Sequence, residues 1–561
     1  PNGIPMKPGA GRATAFLLFA VFLALFWFGN GAHGLWDADE PRYAQATREM
    51  LVSGDFISPT FNGEDRFQKP VLIYWLMAIP MGLFGEGEFT ARAVSGISGA
   101  LSVSLLFCFA LQLGCGRREA LAVAVMTGLY CLFLLVSKAA VIDATLTVMI
   151  VAIMLLLWRQ LTLGFSPERH IGIWALLGLS ILLKGPPGPV IVGLAVLVYW
   201  IWNRWRPVDG AMQRAPMPQH LVRWVSGFLV VLAICLSWGI AIGLRSNWEF
   251  YSFAVGDQVG ERITTAKEGH EGPFFFYLLV LLPALFPFTG LFVASLRWSI
   301  RQARTPAMRY LWCWIVPSFI AFSVISTKLP HYILPLLPAM GLMMGLWLVQ
   351  VSDAEDNRLL GWWKAGAIIT WVVGGLIGFG LPVGAVLGRI PGLLLPAIIV
   401  AMLLLATSAI GGLEILRTRV MRAFAVLATG WVLAMLVILT WALPTLDAVR
   451  PSRNLTRWIH ENAPAGAHYI AADYKVSSLP FNYGQPVEMV SNARPGRTAV
   501  RMREEPVWVM TITRHRWNKW LEEDAEDDSW SFPDDIQEKT AMELFNAERG
   551  KWQEFVILGN W

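Results

Sequence analysis

The residues with most to offer chemically stand together early in the chain, in the run Trp36-Asp37-Ala38-Asp39-Glu40-Pro41-Arg42-Tyr43 directly after the first long uncharged stretch. Three carboxylates and an arginine beside a hydrophobic run need a partner or a task. One reading is local: Asp39 and Glu40 ahead of Pro41 are a helix N-terminus signal, so the acids would cap an interfacial helix from Pro41 to Leu51. The other is chemical. A carboxylate held at a helix N-terminus near a membrane surface can meet a lipid-borne substrate whose reacting group lies at headgroup depth, either orienting it or taking its proton. Lys69, later in the same loop, is a point charge suited to a phosphate.

Further ionisable groups recur at the ends of apolar runs. Asp143 stands at the start of one, and such groups are costly enough in or near a membrane to be functional candidates by default. Lys184 is its expected partner. Lys184, Lys328 and Tyr332 each sit at the end of a span, where snorkelling alone accounts for one cation, but several converging on one face point to an anionic ligand. A second polar loop carries Arg262 and His270. Arg262 is a candidate phosphate contact, and His270 with Glu88 is the candidate pair for a divalent metal, although neither lies in a recognisable ligand motif.

These groups must be positioned by membrane helices. The chain has 561 residues, 55% hydrophobic and only 15% charged, against about 25% charged in soluble proteins. Thirteen spans are expected, starting near Thr14, Phe89, Leu121, Ile142, Ile171, Pro189, Trp224, Phe274, Leu311, Tyr332, Ala365, Pro391 and Ala423. Pro70 to Phe84 is apolar but short and reads as interfacial or re-entrant. With that run not crossing, the loops bearing Arg117/Arg118, Arg204/Arg206, Arg297/Arg301 and Arg417/Arg419/Arg422 share the face of the N-terminus, which the positive-inside rule makes cytoplasmic. The long loops 31–85 and 245–273 then lie outside.

The net charge of +5 is small for the length and spread over short loops, so no nucleic-acid partner is expected. The five cysteines fall in apolar runs or at a cytoplasmic loop and form no disulfide framework. Pro1 to Pro5, ahead of Met6, read as an appended leader rather than a signal peptide, and the first helix is expected to stay attached. The expected organisation is a membrane domain over 1–444 and a soluble domain over 445–561 on the outer face. Within the latter, Ala467–Ala472, Val487–Val490 and Val507–Thr511 read as strands, and Trp517–Asp524 and Asp535–Asn546 as helices, giving a small α/β unit. The acidic run Glu522–Asp528 reads as a solvated loop.

The ordered set Asp39-Glu40-Pro41-Arg42-Tyr43-Ala44, Arg48-Glu49-Met50-Leu51, Gly54-Asp55, Lys69-Pro70, Lys184-Gly185, His270 before Pro273-Phe274, and Lys328-Leu329-Pro330 with Tyr332 resembles the bacterial lipid A 4-amino-4-deoxy-L-arabinose transferases, up to about Pro338. These belong to the GT-C glycosyltransferases and share the Asp-Glu pair with protein O-mannosyltransferases. In two places the chain departs from the pattern: Gln68 stands where an acidic neighbour of Lys69 is expected, and His331 interrupts the Lys-Leu-Pro-Tyr stretch.

The resemblance implies an all-α, polytopic GT-C fold with a small α/β C-terminal periplasmic domain. It implies a glycosyltransferase in the bacterial inner membrane, moving aminoarabinose from undecaprenyl phosphate to a phosphate of lipid A on the periplasmic side and so giving polymyxin resistance. The expected partners are donor, acceptor and membrane lipids, with a monomeric chain. No cofactor is required, although a divalent metal is open. Asp39, Glu40 and Asp143 would be catalytic; Arg42, Tyr43, Lys69, Lys184, Arg262, Lys328 and Tyr332 would bind substrate. The rivals are a GT-C transferase of another polyprenyl-linked sugar to protein or glycan, and a flippase for a lipid-linked sugar, although the charged groups cluster at one face rather than at the bilayer centre where transporters bind.

Overall fold

The computed structural model describes residues 8–37, 39–206, 217–255, 272–353, 360–472, 474–490, 498, 502, 507–526, 532, 535–546 and 550–561. A helix occupies each of the thirteen apolar stretches. Among the described residues, eight helices are long and apolar enough to cross a membrane by length and composition, or ten if two bent pairs each count as one. The bends follow from sequence. One pair, Arg117–Leu129 and Cys131–Ser137, turns by 66°, and the other, Phe276–Ala284 and Thr289–Arg301, turns by 116° around a break that contains Pro287, which cannot continue a helical hydrogen-bond ladder.

The first helix, α1 (Pro8–Trp27), leads into a loop and then α2 (Asp39–Ser53), a short hairpin of β1 (Thr60–Phe61) and β2 (Glu64–Asp65), and α3 (Leu72–Phe84). At 13 residues α3 is about 20 Å long, short of the roughly 30 Å hydrocarbon core. Then come α4 (Glu88–Gln112), α5 (Arg117–Leu129), α6 (Cys131–Ser137), α7 (Asp143–Leu163), α8 (Pro167–Lys184), α9 (Pro187–Trp205), α10 (Met217–Arg245) and α11 (Glu249–Val255). Small residues let these helices approach closely: a Cβ at Gly99 would fall 2.4 Å from the Ser137 hydroxyl, and one at Gly128 would fall 2.3 Å from the Phe22 ring.

Beyond the helix Val420–Val437 the chain leaves the apolar body and builds a five-stranded mixed sheet in the order β4-β3-β5-β7-β6, from β3 (His468–Ala472), β4 (Glu488–Val490), β5 (Trp508–Thr513), β6 (Gln537–Asn546) and β7 (Lys551–Gly559). The first three are parallel, and β7 and β6 run antiparallel to their neighbours. Alternate side chains serve two faces. Tyr469, Val509 and Ile557 pack with Leu455 and Ile459 of the helix Pro451–Asn462, while Ile470, Met510 and Leu558 pack with Trp517 and Trp520 of the helix Arg514–Glu526.

The expected helix at Asp535–Asn546 is corrected: Gln537–Asn546 is strand β6, paired along its length with β7. Of the acidic run, Glu522 to Glu526 continue a helix rather than forming a loop.

Candidate active site

A cavity of about 920 Å³ opens where α2, the hairpin, the starts of α7 and of the 3-10 helix Pro330–Leu336, the end of α8 and the C-terminal unit meet. Its lining includes Asp39, Arg42, Tyr43, Lys69, Asp143, Lys184 and Tyr332, so seven of the sequence candidates, scattered over nearly 300 residues, share one space.

Local sequence explains how they arrive. Asp39 is the first residue of α2 and is exposed, with Glu40 and Pro41 following in the first turn. Asp143 opens α7 and is buried. Helix α8 stops at Lys184 because Gly185 takes φ +80°, a conformation that only glycine adopts freely. That stop sets Lys184 Nζ 2.5 Å from Asp143 Oδ1 and 5.0 Å from the centre of the Tyr332 ring. On the other side, Nε2 of His331 lies 3.8 Å from Asp143 Oδ2. The cavity thus holds an ordered array of Lys184, Asp143 and His331 with an aromatic wall, and the residue that interrupts the family pattern is part of it.

Arg66 and a group from the C-terminal unit are among the cavity residues that escaped the sequence reading. Arg66 is buried, donates to the Tyr74 hydroxyl at 2.9 Å and lies 5.5 Å from the Tyr43 ring centre. Burial works against its charge, but Tyr74, Tyr43 and Asp39 outweigh that and keep it protonated; burial pushes the Tyr43 phenol well above its usual range. The closeness of Arg66 to Lys69 was the available signal. The second group, Lys475, Ser477 and Glu488, comes from the C-terminal unit, and nothing local in the sequence marks it.

That unit is fastened to the first loop by polar contacts. Asp37 accepts from the backbone N–H of Ser478 at 2.8 Å and from its hydroxyl at 2.6 Å; burial nevertheless pushes the Asp37 carboxyl up, against the pull of Ser478 and Arg450. Arg42 donates through Nε to the Ser477 hydroxyl at 2.9 Å, and Arg48 donates to the Phe481 carbonyl at 2.8 Å. Asn62 donates to the Val487 carbonyl and accepts from its N–H, both at 2.8 Å.

Other candidates stand elsewhere. Glu40 is corrected from a catalytic to an architectural position. It is buried outside the cavity lining, where Oε1 accepts from Arg92 Nε at 3.0 Å and the Ala140 N–H at 2.6 Å, and Oε2 accepts from Arg92 Nη2 and the Trp36 N–H, both at 2.7 Å. Burial would raise its carboxyl, and the Arg92 guanidinium with these hydrogen bonds overcomes that and holds it below the usual range. Lys328 is buried and donates to the Ile325 carbonyl at 2.8 Å, closing a turn next to Leu329 rather than lining the cavity. Arg262 and His270 lie outside the described residues. Glu88 begins α4 away from the cavity lining. Among the described residues, no three His, Cys, Asp or Glu side chains are grouped so as to hold a metal ion, so the described part of the proposed His270/Glu88 pair gives a metal no ligand set.

The arrangement can receive an anion against Lys69, Arg66 and Lys184 while Asp39 reaches the same space from a helix N-terminus. A leaving group that gains negative charge would meet fixed cations here, and preorganised charge of this kind is usually the largest catalytic term.

The chain is similar to known proteins both in sequence and in fold. Residues 12–251 match the family described as dolichyl-phosphate-mannose-protein mannosyltransferase. The chain is 33% identical over 354 residues to the undecaprenyl phosphate-alpha-4-amino-4-deoxy-L-arabinose arabinosyl transferase of Pseudomonas paraeruginosa strain PA7, the match taking in 62% of each chain. Its namesake in Pseudomonas aeruginosa PAO1 is 33% identical over 344 residues, 60% of each chain. The match therefore spans less than two thirds of these relatives. Among solved structures, ArnT from Cupriavidus metallidurans bound to undecaprenyl phosphate superposes with a TM-score of 0.73 at 22% identity, covering 98% of both chains, and its apo form with 0.74 at 21% identity, covering 99% of both. The chain has the fold of that structure.

Proposed function

We propose that this protein is a glycosyltransferase that moves 4-amino-4-deoxy-L-arabinose from undecaprenyl phosphate to a phosphate of lipid A, lowering the negative charge of the outer membrane and giving resistance to polymyxin and other cationic peptides. The observation that carries the reading is the single cavity in which Asp39, Lys69, Asp143 and Lys184 converge, in a chain with the relatives reported above. We place thirteen spans in the bacterial inner membrane, with residues 1–444 as the transmembrane domain and 445–561 as a periplasmic domain over the cavity, and take the chain to act as a monomer.

In this reading the donor's phosphate sits against Lys69, with Arg66 and Lys184 sharing the developing charge as the sugar departs. Arg42 and Tyr43 shape the wall and Tyr332 covers Lys184. A phosphate monoester has a second pKa of about 6 and arrives largely ionised at neutral pH, so Asp39 orients the acceptor or the sugar's ammonium more than it removes a proton. With a hydroxyl acceptor Asp39 would have to act as base, a role worth about 10²–10⁴-fold.

The test is transfer of radiolabelled aminoarabinose from undecaprenyl phosphate to lipid A by the purified protein in detergent. Wild-type transfer that falls by about 10²-fold or more in Asp39→Asn, and falls strongly with weakened donor use in Lys69→Ala, is expected. No transfer, with donor crossing the bilayer of proteoliposomes, would make the protein a flippase.

A further inference from the structure

His331 has no place in the motif set that the chain shares with its family, yet its side chain, about a quarter exposed, lines the cavity beside Asp39, Lys69, Asp143 and Lys184. The two oxygens of Asp143 are divided: Oδ1 is held by Lys184, and Oδ2 faces Nε2 of the imidazole at 3.8 Å. That separation is longer than a hydrogen bond, so Asp143 acts on the ring by charge: it favours the positive imidazolium that forms when a neutral histidine accepts a proton. The Tyr332 ring packs edge-on against the imidazole at 5.2 Å between centres and limits its rotation. Among the described residues the charged groups acting on it are Asp143 from α7, Lys184 from the end of α8, Lys69 from the loop before α3, and Asp39 from α2. The cations oppose a resting positive charge on the ring, and the two carboxylates stabilise one that forms in passing.

We propose that His331 is a catalytic residue, the proton acceptor for an acceptor phosphate that arrives still carrying its last proton. This rests on the transferase reading given above. In the step, the O–H bond of the phosphate breaks and its proton passes to the unprotonated ring nitrogen of the neutral His331 imidazole. The freed pair on that oxygen forms the new bond to the sugar's anomeric carbon. The bond from that carbon to the polyprenyl phosphate breaks, its electron pair leaving on the phosphate oxygen beside Lys69. The imidazolium then returns its proton to water. Nothing is oxidised or reduced. The role extends the acid end of the working range, because above the second pKa of the acceptor the proton is already gone.

The experiment compares initial transfer rates of wild type and His331→Gln from about pH 5 to about pH 8 with a phosphate acceptor, bracketing its second pKa of about 6. Glutamine keeps a polar side chain at the position but cannot take up a proton. The wild-type-to-variant ratio is expected to be small at the alkaline end and to grow about tenfold or more as pH falls through about 6. His331→Asn, run in parallel with a melting curve for each protein, separates a folding defect of one variant from loss of the proton acceptor. A ratio that is constant with pH in a folded variant, or two variants as inactive at alkaline as at acid pH, overturns the proposal. Absence of transfer by wild type at every pH overturns the transferase reading and the proposal with it, whereas wild-type transfer with a flat ratio overturns the proposal alone.

Discussion

Asp39 and Glu40 are neighbours with opposite fates. Their order in sequence gives no hint of this: both are acids in the first turn of α2, but the helix turns Glu40 inward onto Arg92, which lies 52 positions away, while Asp39 faces the cavity. Glu40→Gln leaves Arg92 buried without its counter-charge, and breaking such a pair costs about 3–5 kcal/mol; detergent-solubilised protein is expected to melt at a markedly lower temperature. Asp39→Asn, at an exposed position, should melt like wild type while losing transfer. The sign of the pH dependence follows from the lowered Glu40 carboxyl. Its contribution is complete above the ordinary carboxylate pKa of about 4.3 and is lost as pH falls through the lower folded value, so Glu40→Gln should flatten the acid end of the wild-type stability profile. Lys184→Ala likewise strands Asp143, and Asp143→Asn in that background should recover part of the lost stability, measured by the same melting curves.

Among the elements, those with a strong local signal were the legible ones. Long uncharged runs fixed the helices of the membrane body, and the Lys184-Gly185 pair marks a helix end by itself. Strand β6 was misread because Ala541, Met542, Leu544 and Phe545 fall at spacings that a helix also uses; what decides is pairing with β7, and strand preference depends on such context. The fastening of the C-terminal unit was equally hidden, since its contacts join residues more than 400 positions apart. It can be probed at Asn62. Asn62→Ala removes two side-chain hydrogen bonds to Val487, each worth about 0.5–1.5 kcal/mol. Amide exchange in β4 should quicken by about tenfold, with exchange in α4 and α7 unchanged; an unchanged β4 would show that the other contacts suffice.

At the scale of the whole molecule, the sequence reading gives sidedness a basis in charge: the loops rich in arginine lie on one face, and the cavity groups with the C-terminal unit would lie on the other. Single cysteines at Glu461 and at Arg422, both exposed, in a background lacking the five native cysteines, are expected to react with a membrane-impermeant thiol reagent from the periplasmic side and only after permeabilisation, respectively. The reverse pattern would invert the topology. The sequence could carry this much because the spans need only composition and length. It could not carry the cavity, because a cavity is a property of surfaces that meet only in the fold.

Hydrogen bonds in and beside the cavity wall join Arg42 to Ser477 and Asp37 to Ser478 across more than 400 residues of chain, which gives the site a place in time. A ribosome adding about 5–20 residues per second delivers the later partner roughly 20–90 s after the earlier one. Throughout that interval the first loop has emerged without the surface that completes its pocket. A polypeptide halted anywhere between Lys184 and β4 would hold Lys69, Asp143 and Lys184 and still lack the C-terminal part of the cavity wall. The enclosure comes late in synthesis, so an unfinished chain carries the charged groups without the finished site.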